Sequence, residues 1–217
     1  TTDICEVWFD SGSTHAFVLE KKRKDLKWPA SMYLEGSDQH RGWFQSSLLE
    51  SCGTRGRAPF ESILSHGFVV DGKGLKMSKS MGNVISPENI LKKYGADILR
   101  LWVASSDYTE DLRMDLSILD QHAESYRKIR NTLRFLLGNL CDQSINFDFD
   151  SSDEISKWPE LERFMLHRIY ILDQNFNNYF KEYNFHKIYK ELLFFCSQEL
   201  SAFYFDIRKD ILYCDSI

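Results

Sequence analysis

The chain has 217 residues, of which 43% are hydrophobic and 27% are charged, and its formal net charge at pH 7 is -5. This composition is typical of a globular chain long enough for one large or two modest domains. The acidic balance excludes a globally basic nucleic-acid-binding protein, so contact with nucleic acid would need a local patch. Residues 1–100 carry 14 Lys and Arg against 12 Asp and Glu, whereas residues 101–217 carry 13 against 20.

The five cysteines form no Cys-x-x-Cys pair and have no histidine at metal-ligand spacing. The odd number and the lack of a signal peptide favour a reducing, cytoplasmic compartment. No apolar run approaches the length of a transmembrane helix. The sequence starts without Met, directly on an apolar run, which suggests a piece of a longer protein.

The apolar run Ile4–Phe9 ends in the turn-forming residues Asp10–Ser13. This pattern predicts a short strand that delivers its last side chains into a turn. Trp8 lies at that point, where it is either a core side chain or one wall of a hydrophobic pocket.

A second predicted strand stops at Gly36, and a helix is predicted to begin near Asp38, with Ser37 or Asp38 capping its free N–H groups. Strand, glycine turn and helix form the pattern of nucleotide sites in α/β sheets, where ligands lie beyond the carboxyl ends of strands. Glu35 and Asp38 offer acceptors suited to ribose hydroxyls, and Gln39 suits a polar substrate group. Taken singly, a helix cap and a surface carboxylate explain Asp38 and Glu35 equally well.

Residues 62–70 are predicted as a further strand and Asp71–Gly74 as a turn. The next stretch, Gly74–Asn83, places Lys76 and Lys79 among two hydroxyls and between glycines. Lysine is a compact charge on a flexible stem, so such a pair suits a triphosphate. The alternative for this stretch is a solvated surface turn.

The remaining pattern is helical. Ser86-Pro87-Glu88 predicts a helix start, Gly95 the end of that helix, and Ala96–Ala104 a further helix. From about Asp107, apolar residues recur at helical spacing and predict a bundle whose stripes form its core. The first stripe comprises Leu119, Ala123, Tyr126, Ile129, Leu133, Leu136 and Leu140; the second Leu161, Met165, Ile169, Leu172, Phe176 and Phe180; the third, after an Asn184 cap, Phe185, Ile188, Leu192, Cys196 and Leu200. Residues 141–157 are predicted as an interhelical loop, and the fold class is α/β followed by all-α.

Three stretches in this order, residues 7–13, 33–45 and 76–80, closely resemble class I aminoacyl-tRNA synthetases, and among them the bacterial-type isoleucyl-tRNA synthetases. The lysine-serine stretch alone would indicate only the class. Residues 201–213 also resemble the helical domain of that family. The resemblance implies that residues 1–106 are the second half of a Rossmann-type catalytic domain and residues 107–217 part of an anticodon-binding-type bundle.

The resemblance also implies site residues and partners. The expected ATP-binding residues are Lys76, Met77, Ser78, Lys79, Glu35, Gly36 and Asp38, with Lys76 and Lys79 catalytic; those expected around isoleucine and its adenylate are Trp8, Gln39, Trp43 and Glu35. Mg²⁺ would come with ATP through phosphate oxygens, and no protein-bound metal, including zinc, is expected in this chain. The implied partners are isoleucine, ATP and tRNA(Ile), without a membrane, and we expect a monomer.

The sequence departs from the family in one respect. The other phosphate-binding signature of the family, a His-Ile-Gly-His-like motif, does not occur in these residues, and there is no room for an editing domain. We therefore expect this piece alone not to form the adenylate. The alternatives are a truncated, non-catalytic module that binds tRNA or a protein, and a different nucleotidyl-transferring enzyme on the same fold.

Overall fold

The computed structural model describes residues 3–140 and 155–214. The chain forms two compact units, one of Thr1–Lys76 with Tyr108–Arg113 and the other of Met77–Asp107 with Met114–Ile217. The predicted fold class is confirmed, because short strands and helices alternate in the first part of the chain and helices dominate the rest. The domain boundary between residues 106 and 107 stays a prediction.

The first unit contains a strand–helix–strand arrangement. Strand β1 (Tyr33–Gly36) is parallel to β2 (Ile63–His66), with Tyr33 opposite Ile63 and Gly36 opposite His66. A 3-10 helix, Ser37–Arg41, and helix α2, Trp43–Arg55, connect the two strands. Parallel strands need such a crossover, which brings their carboxyl ends to the same edge.

The strand predicted over Ile4–Phe9 is wrong. Helix α1 spans Val7–Gly12, and the Glu6 carboxylate caps it by accepting a hydrogen bond from the Trp8 N–H at 2.7 Å. Apolar residues such as Val7 and Phe9 are 74% and 54% exposed, so the run is not a buried strand. A short apolar run does not distinguish strand from helix by its periodicity, and the cap decides here. A π-helix, His15–Lys22, follows.

The strand predicted over residues 62–70 is in fact two strands, β2 and β3 (Val69–Asp71), separated at Gly67. The Gly67 N–H donates to the Tyr108 carbonyl at 2.9 Å, and a second sheet pairs β3 with β4 (Leu112–Met114). Strand β4 corrects the prediction that the chain is helical from about Asp107. Three residues carry too little alternation to be recognised in sequence.

The two predicted helices before the bundle are confirmed. Helix α3 spans Pro87–Tyr94, with the Ser86 hydroxyl accepting from the Glu88 N–H and Gly95 at the C-terminal cap. Helix α4 spans Ala96–Ser105, and it buries Ile98 and Trp102.

The bundle is also confirmed. It comprises α5 (Leu116–Leu140), α6 (Glu160–Lys181), α7 (Phe185–Phe194), a π-helix (Phe195–Tyr204) and α8 (Phe205–Tyr213). Its core contains Met165, Phe195, Leu200 and Phe205, packed against Phe135, Leu136, Leu172 and Tyr204.

Not every member of the predicted stripes belongs to that core. Leu119 is fully buried, whereas Leu133, Ile169 and Phe180 are 52%, 47% and 55% exposed. Asn184 stands at the N-terminal cap of α7 as predicted, but its side chain makes no capping bond and donates instead to Glu182. Most of the predicted loop, residues 141–154, lies outside the described residues. Among the described helices, none combines the length and apolarity needed to span a membrane.

Helices α1 and α2 pack closely in the first unit. Glu50 of α2 lies against Gly12 of α1, where a Cβ would overlap its Oε1 atom. Burial and then the nearby Asp10 charge raise the pKa of Glu50. Its Oε1 atom is buried and has no hydrogen-bond partner among the described residues.

Replacing Gly67 with Ala should destabilise the first unit. The added Cβ would overlap the Glu110 carbonyl and lie 2.8 Å from the Asp111 nitrogen, and backbone cannot move aside cheaply. We expect Gly67→Ala to lower the free energy of unfolding by about 1–3 kcal/mol in urea denaturation. The matched control is Gly53→Ala in α2, where nothing lies within 4 Å of the new Cβ. That control should raise stability by up to ~1 kcal/mol, and equal effects would contradict the backbone contact.

Replacing Glu50 with Gln should change how stability depends on pH. The folded chain binds this proton more tightly than the unfolded chain, whose carboxyl has the usual pKa of 4.5. The carboxylate therefore costs stability as the pH rises above that value. We expect Glu50→Gln to have a higher free energy of unfolding than the parent at pH 7, and this difference should shrink as the pH falls toward about 4.5. Urea denaturation at several pH values measures the difference, and a difference that does not depend on pH would refute the prediction.

Candidate functional site

The predicted turn before the lysine-serine stretch is present. The Asp71 Oδ1 atom accepts the Lys73 and Leu75 N–H groups at 3.0 and 2.8 Å, and the Gly74 N–H donates to the Asp71 carbonyl. Gly74 has a φ of 82°, which an L-side chain rarely adopts. The chain then returns, so that Lys76 forms an antiparallel bridge with Val70. Lys76 is exposed at the end of this hairpin.

The stretch after Lys76 belongs to the second unit and is held by its own polar groups. The Asn83 Oδ1 atom accepts the Ser78 N–H at 2.9 Å, and the Ser78 hydroxyl lies 3.2 Å from that of Ser80. The Gly82 N–H donates to the Lys79 carbonyl, and Gly82 has a φ of 66°. The two serine hydroxyls thus shape a turn, while the Lys79 side chain is exposed. Met77 is half-buried.

The carboxylates predicted for the ribose lie at the carboxyl end of β1. Glu35 and Asp38 are exposed, and buried Gly36 separates them from each other in the chain. A Cβ at Gly36 would lie 2.7 Å from the Asp38 Oδ1 atom, so glycine lets this carboxylate fold back over the strand end. Glu35 Oε2 accepts the Gly36 N–H at 3.3 Å. Both carboxylates keep free lone pairs for hydroxyl groups.

The predicted capping of the following helix by Ser37 or Asp38 is wrong. The 3-10 helix after Gly36 has no side-chain cap. Instead, Gln39 Oε1 accepts the Trp43 N–H at 2.9 Å at the start of α2, and Gln39 Nε2 donates to Asp38 at 3.1 Å. The 3-10 turn moves the helix start five residues along, so a later residue satisfies the first N–H. The Gln39 amide is thereby oriented and retains one N–H and one lone pair.

Two of the side chains predicted around the amino acid, those of Trp8 and Gln39, approach Gly42, and the third, Trp43, is the next residue in the chain. A Cβ at Gly42 would lie 2.8 Å from Gln39 Oε1 and 3.0 Å from Trp8 Cη2. Trp8, on α1, is 47% exposed, so its ring covers Gly42 and still presents a face to solvent. The arrangement is an apolar surface with one polar group beside it, which suits an aliphatic amino acid.

The Trp43 ring is held on two sides. It stacks on Tyr33 with 4.2 Å between centroids and 8° between planes, and its Nε1–H donates to the Ser11 carbonyl at 3.0 Å. No role was predicted for Tyr33 or Gly42. Gly42 lies directly before a helix and does not end a strand. A glycine in that position is the sequence signal for a backbone that other side chains approach closely.

Comparison with known proteins extends these observations. Residues 1–115 match the family described as tRNA synthetases class I (I, L, M and V), and residues 162–217 match the anticodon-binding domain of tRNA ligase. The isoleucine–tRNA ligase of Pelagibacter ubique (strain HTCC1062) is 77% identical over 99% of this chain, and that of Brucella abortus biovar 1 (strain 9-941) is 56% identical over 99%. The chain spans 24% and 21% of the lengths of these two relatives.

Two solved structures share the fold. The leucyl-tRNA synthetase of Agrobacterium radiobacter K84, in a ternary complex with tRNA and LeuAMS, has a TM-score of 0.65 at 19% identity, covering 80% of this chain and 24% of that one. The methionyl-tRNA synthetase of Mycobacterium tuberculosis, in complex with methionyl-adenylate, has a TM-score of 0.68 at 18% identity, covering 90% and 39%. Because the family match covers more than half of the residues and the fold agrees with it, the chain belongs to the class I tRNA synthetases.

Proposed function

We propose that this chain is a working part of an isoleucine–tRNA ligase, in which it supplies the amino-acid pocket, the ribose carboxylates and the lysine-serine phosphate loop. The observation that carries the proposal is the approach of Trp8 and Gln39 to Gly42, the residue before Trp43, in a chain 77% identical to such a ligase. The complete reaction would also need residues beyond these 217.

The reaction has two steps. The isoleucine carboxylate attacks the α-phosphorus of ATP, which forms isoleucyl-adenylate as the bond to pyrophosphate breaks. A hydroxyl of the terminal ribose of tRNA(Ile) then attacks the acyl carbon, gives up its proton and displaces AMP. Neither step needs a covalent bond to the protein, so the side chains act by positioning the reactants and stabilising charge.

The pocket residues have separate roles in this proposal. Trp8 and Trp43 would enclose the aliphatic side chain, because their rings offer a large apolar area with little conformational freedom to lose. The Gln39 amide, already fixed by Asp38 and Trp43, would orient the polar end of the amino acid with its remaining groups. Glu35, beside it at the strand end, would contact the amino acid or its adenylate.

The nucleotide would lie at the carboxyl end of β1, as ligands do in parallel α/β sheets. Glu35 and Asp38 would accept hydrogen bonds from the ribose hydroxyls, and Gly36 would allow the sugar to approach the backbone. Met77 and the backbone next to it would face the adenine.

Lys76, Ser78 and Lys79 would hold the phosphates. Negative charge moves onto pyrophosphate as the bond breaks, and an ammonium group that follows it lowers the barrier. Lys79 is the stronger candidate for this step. Mg²⁺ would be held through phosphate oxygens and would neutralise part of their charge, because this ion keeps several waters and binds with substrate phosphates. Among the described residues, no group of three or more His, Cys, Asp or Glu side chains could hold a metal ion.

The bundle would contact tRNA(Ile), as its match to an anticodon-binding domain suggests. Residues 101–217 have a net excess of seven acidic residues, so we do not expect strong RNA binding by the bundle alone. The second candidate function, a truncated module that binds tRNA or a protein without catalysis, would rely on the bundle alone.

Pyrophosphate exchange distinguishes the two functions. The test enzyme, called the chimeric ligase, carries this chain in place of the 215 aligned residues of the Pelagibacter ubique ligase. We expect isoleucine-dependent exchange by the chimeric ligase and none by the isolated chain. An inactive chimeric ligase would favour the module, and exchange by the isolated chain at the rate of an intact enzyme would contradict the need for a second phosphate motif.

Lys79→Ala in the chimeric ligase should lower kcat for exchange by about 10²–10³, the loss typical for one donor to a developing charge. The Michaelis constant for isoleucine should change little, because this lysine would not contact the amino acid. Lys73→Ala is the matched control, since Lys73 is exposed in the preceding turn and only its backbone joins that turn. Equal losses in both variants would refute the assignment of Lys79.

Trp8→Ala in the chimeric ligase should raise KM for isoleucine about tenfold or more, because one apolar wall of the pocket is lost. KM for ATP should stay the same. Phe9→Ala is the control, since Phe9 is the neighbour of Trp8 on α1 and is 54% exposed. An unchanged KM for isoleucine in Trp8→Ala would remove Trp8 from the pocket.

A further inference from the structure

Three buried polar side chains lie behind the pocket: Tyr33, Ser47 and His15, which are 5%, 0% and 1% exposed. The Tyr33 hydroxyl is 3.1 Å from Ser47 Oγ, which is 3.4 Å from His15 Nδ1. His15 Nδ1 is also 3.0 Å from the Gly12 carbonyl oxygen. We call these three residues the buried polar network.

The direction of one hydrogen bond made by this network follows from chemistry. The Gly12 carbonyl can only accept, so His15 Nδ1 carries a hydrogen and donates to it. Burial lowers the pKa of His15, which favours the neutral ring. Its Nε2 atom is buried without a hydrogen-bond partner among the described residues. Because Nδ1 carries the hydrogen, Ser47 Oγ at 3.4 Å can only be a second, weaker acceptor of it, and the contact between the Ser47 and Tyr33 hydroxyls is the shorter one, at 3.1 Å.

The buried polar network contacts Trp43 through the ring of Tyr33. Trp43 and Ser47 are four residues apart on α2 and share one face of the helix. Ser47 holds the hydroxyl end of Tyr33, while the Trp43 indole lies parallel to the Tyr33 ring at 4.2 Å. The ring that sets the plane of Trp43 is thus itself fixed by a hydrogen bond.

Stability alone does not explain polar groups at this depth. Alanine at position 47 and phenylalanine at position 33 would bury no hydroxyl and would have no desolvation cost. A buried hydroxyl has such a cost, which is offset only when the hydroxyl is hydrogen-bonded. The hydroxyls fix the orientation of the Tyr33 ring, because a hydrogen bond is directional and apolar packing restricts the ring less strictly.

We propose that Ser47 and Tyr33 are positioning residues for Trp43, and that they set the shape of the pocket for the aliphatic amino acid. This deepens the proposed function and rests on it. Neither residue touches the substrate in this proposal, and their effect reaches the amino acid through the indole plane.

The test is a cycle of variants in the chimeric ligase: Ser47→Ala, Tyr33→Phe and the two combined. Ser47→Ala removes the partner of the Tyr33 hydroxyl and Tyr33→Phe removes the hydroxyl that Ser47 binds, so each single variant should raise KM for isoleucine about fivefold to tenfold. KM for ATP should not change, and the preference for isoleucine over valine in kcat/KM should fall. Because the two hydroxyls act on one contact, the double variant should show about the effect of one single variant and not the product of both.

Ser51→Ala is the matched control. Ser51 is on the same helix and equally buried, but its hydroxyl donates to the Arg57 carbonyl at 2.8 Å, away from Tyr33. It should leave both KM values unchanged. Tyr33→Phe keeps the ring and its stacking, so this variant tests the proposal by itself if Ser47→Ala folds poorly.

Several results would overturn the inference. A merely structural role would lower the active fraction, and hence kcat, with no change in KM for isoleucine. Parallel increases in KM for isoleucine and ATP, or single variants equal to Ser51→Ala, would refute it while the proposed function stands. An unsubstituted chimeric ligase without isoleucine-dependent exchange would refute the proposed function, and this inference with it.

Discussion

The close packing of helix α1 against helix α2 is the constraint on which the pocket depends. Glycine at position 42 lets Trp8 and Gln39 approach one backbone position, and glycine at position 12 accommodates the Glu50 carboxyl. The last carbonyls of α1 then receive hydrogen bonds from Trp43 and His15. Two helices far apart in the sequence thus hold one apolar surface, and neither would place it alone.

The residues proposed for phosphate binding are organised in a different way. Lys76 ends a hairpin whose turn is closed by the Asp71 carboxylate, and Lys79 stands in a turn closed by Asn83. In both places backbone N–H groups bind side-chain oxygens, so the turns are held by local bonds and both ammonium groups remain exposed. Lysine is a compact charge on a flexible stem, so an exposed ammonium group on such a turn can reach a phosphate.

Much of the fold could be predicted from the sequence, because its signals are local. The proline and serine at the start of α3, the glycine after it and the apolar spacing of α5 each act within one or two helical turns. Two of the failures share one cause. The Ile4–Phe9 run and strand β4 are too short for periodicity to decide, and the Glu6 cap and the pairing with β3 settled their structures.

For the candidate site, the sequence by itself determined which residue types are present and the family whose stretches carry them. It also placed Glu35 and Asp38 beside a glycine turn, since that pattern is contiguous. Only the tertiary structure decided that Trp8 meets Gln39 at Gly42, that Gln39 and not Asp38 accepts the first N–H of α2, and that Tyr33 and Ser47 lie behind Trp43. Such contacts join residues up to 34 positions apart, and a sequence read in short windows carries no record of which side chains the packing of helices brings together.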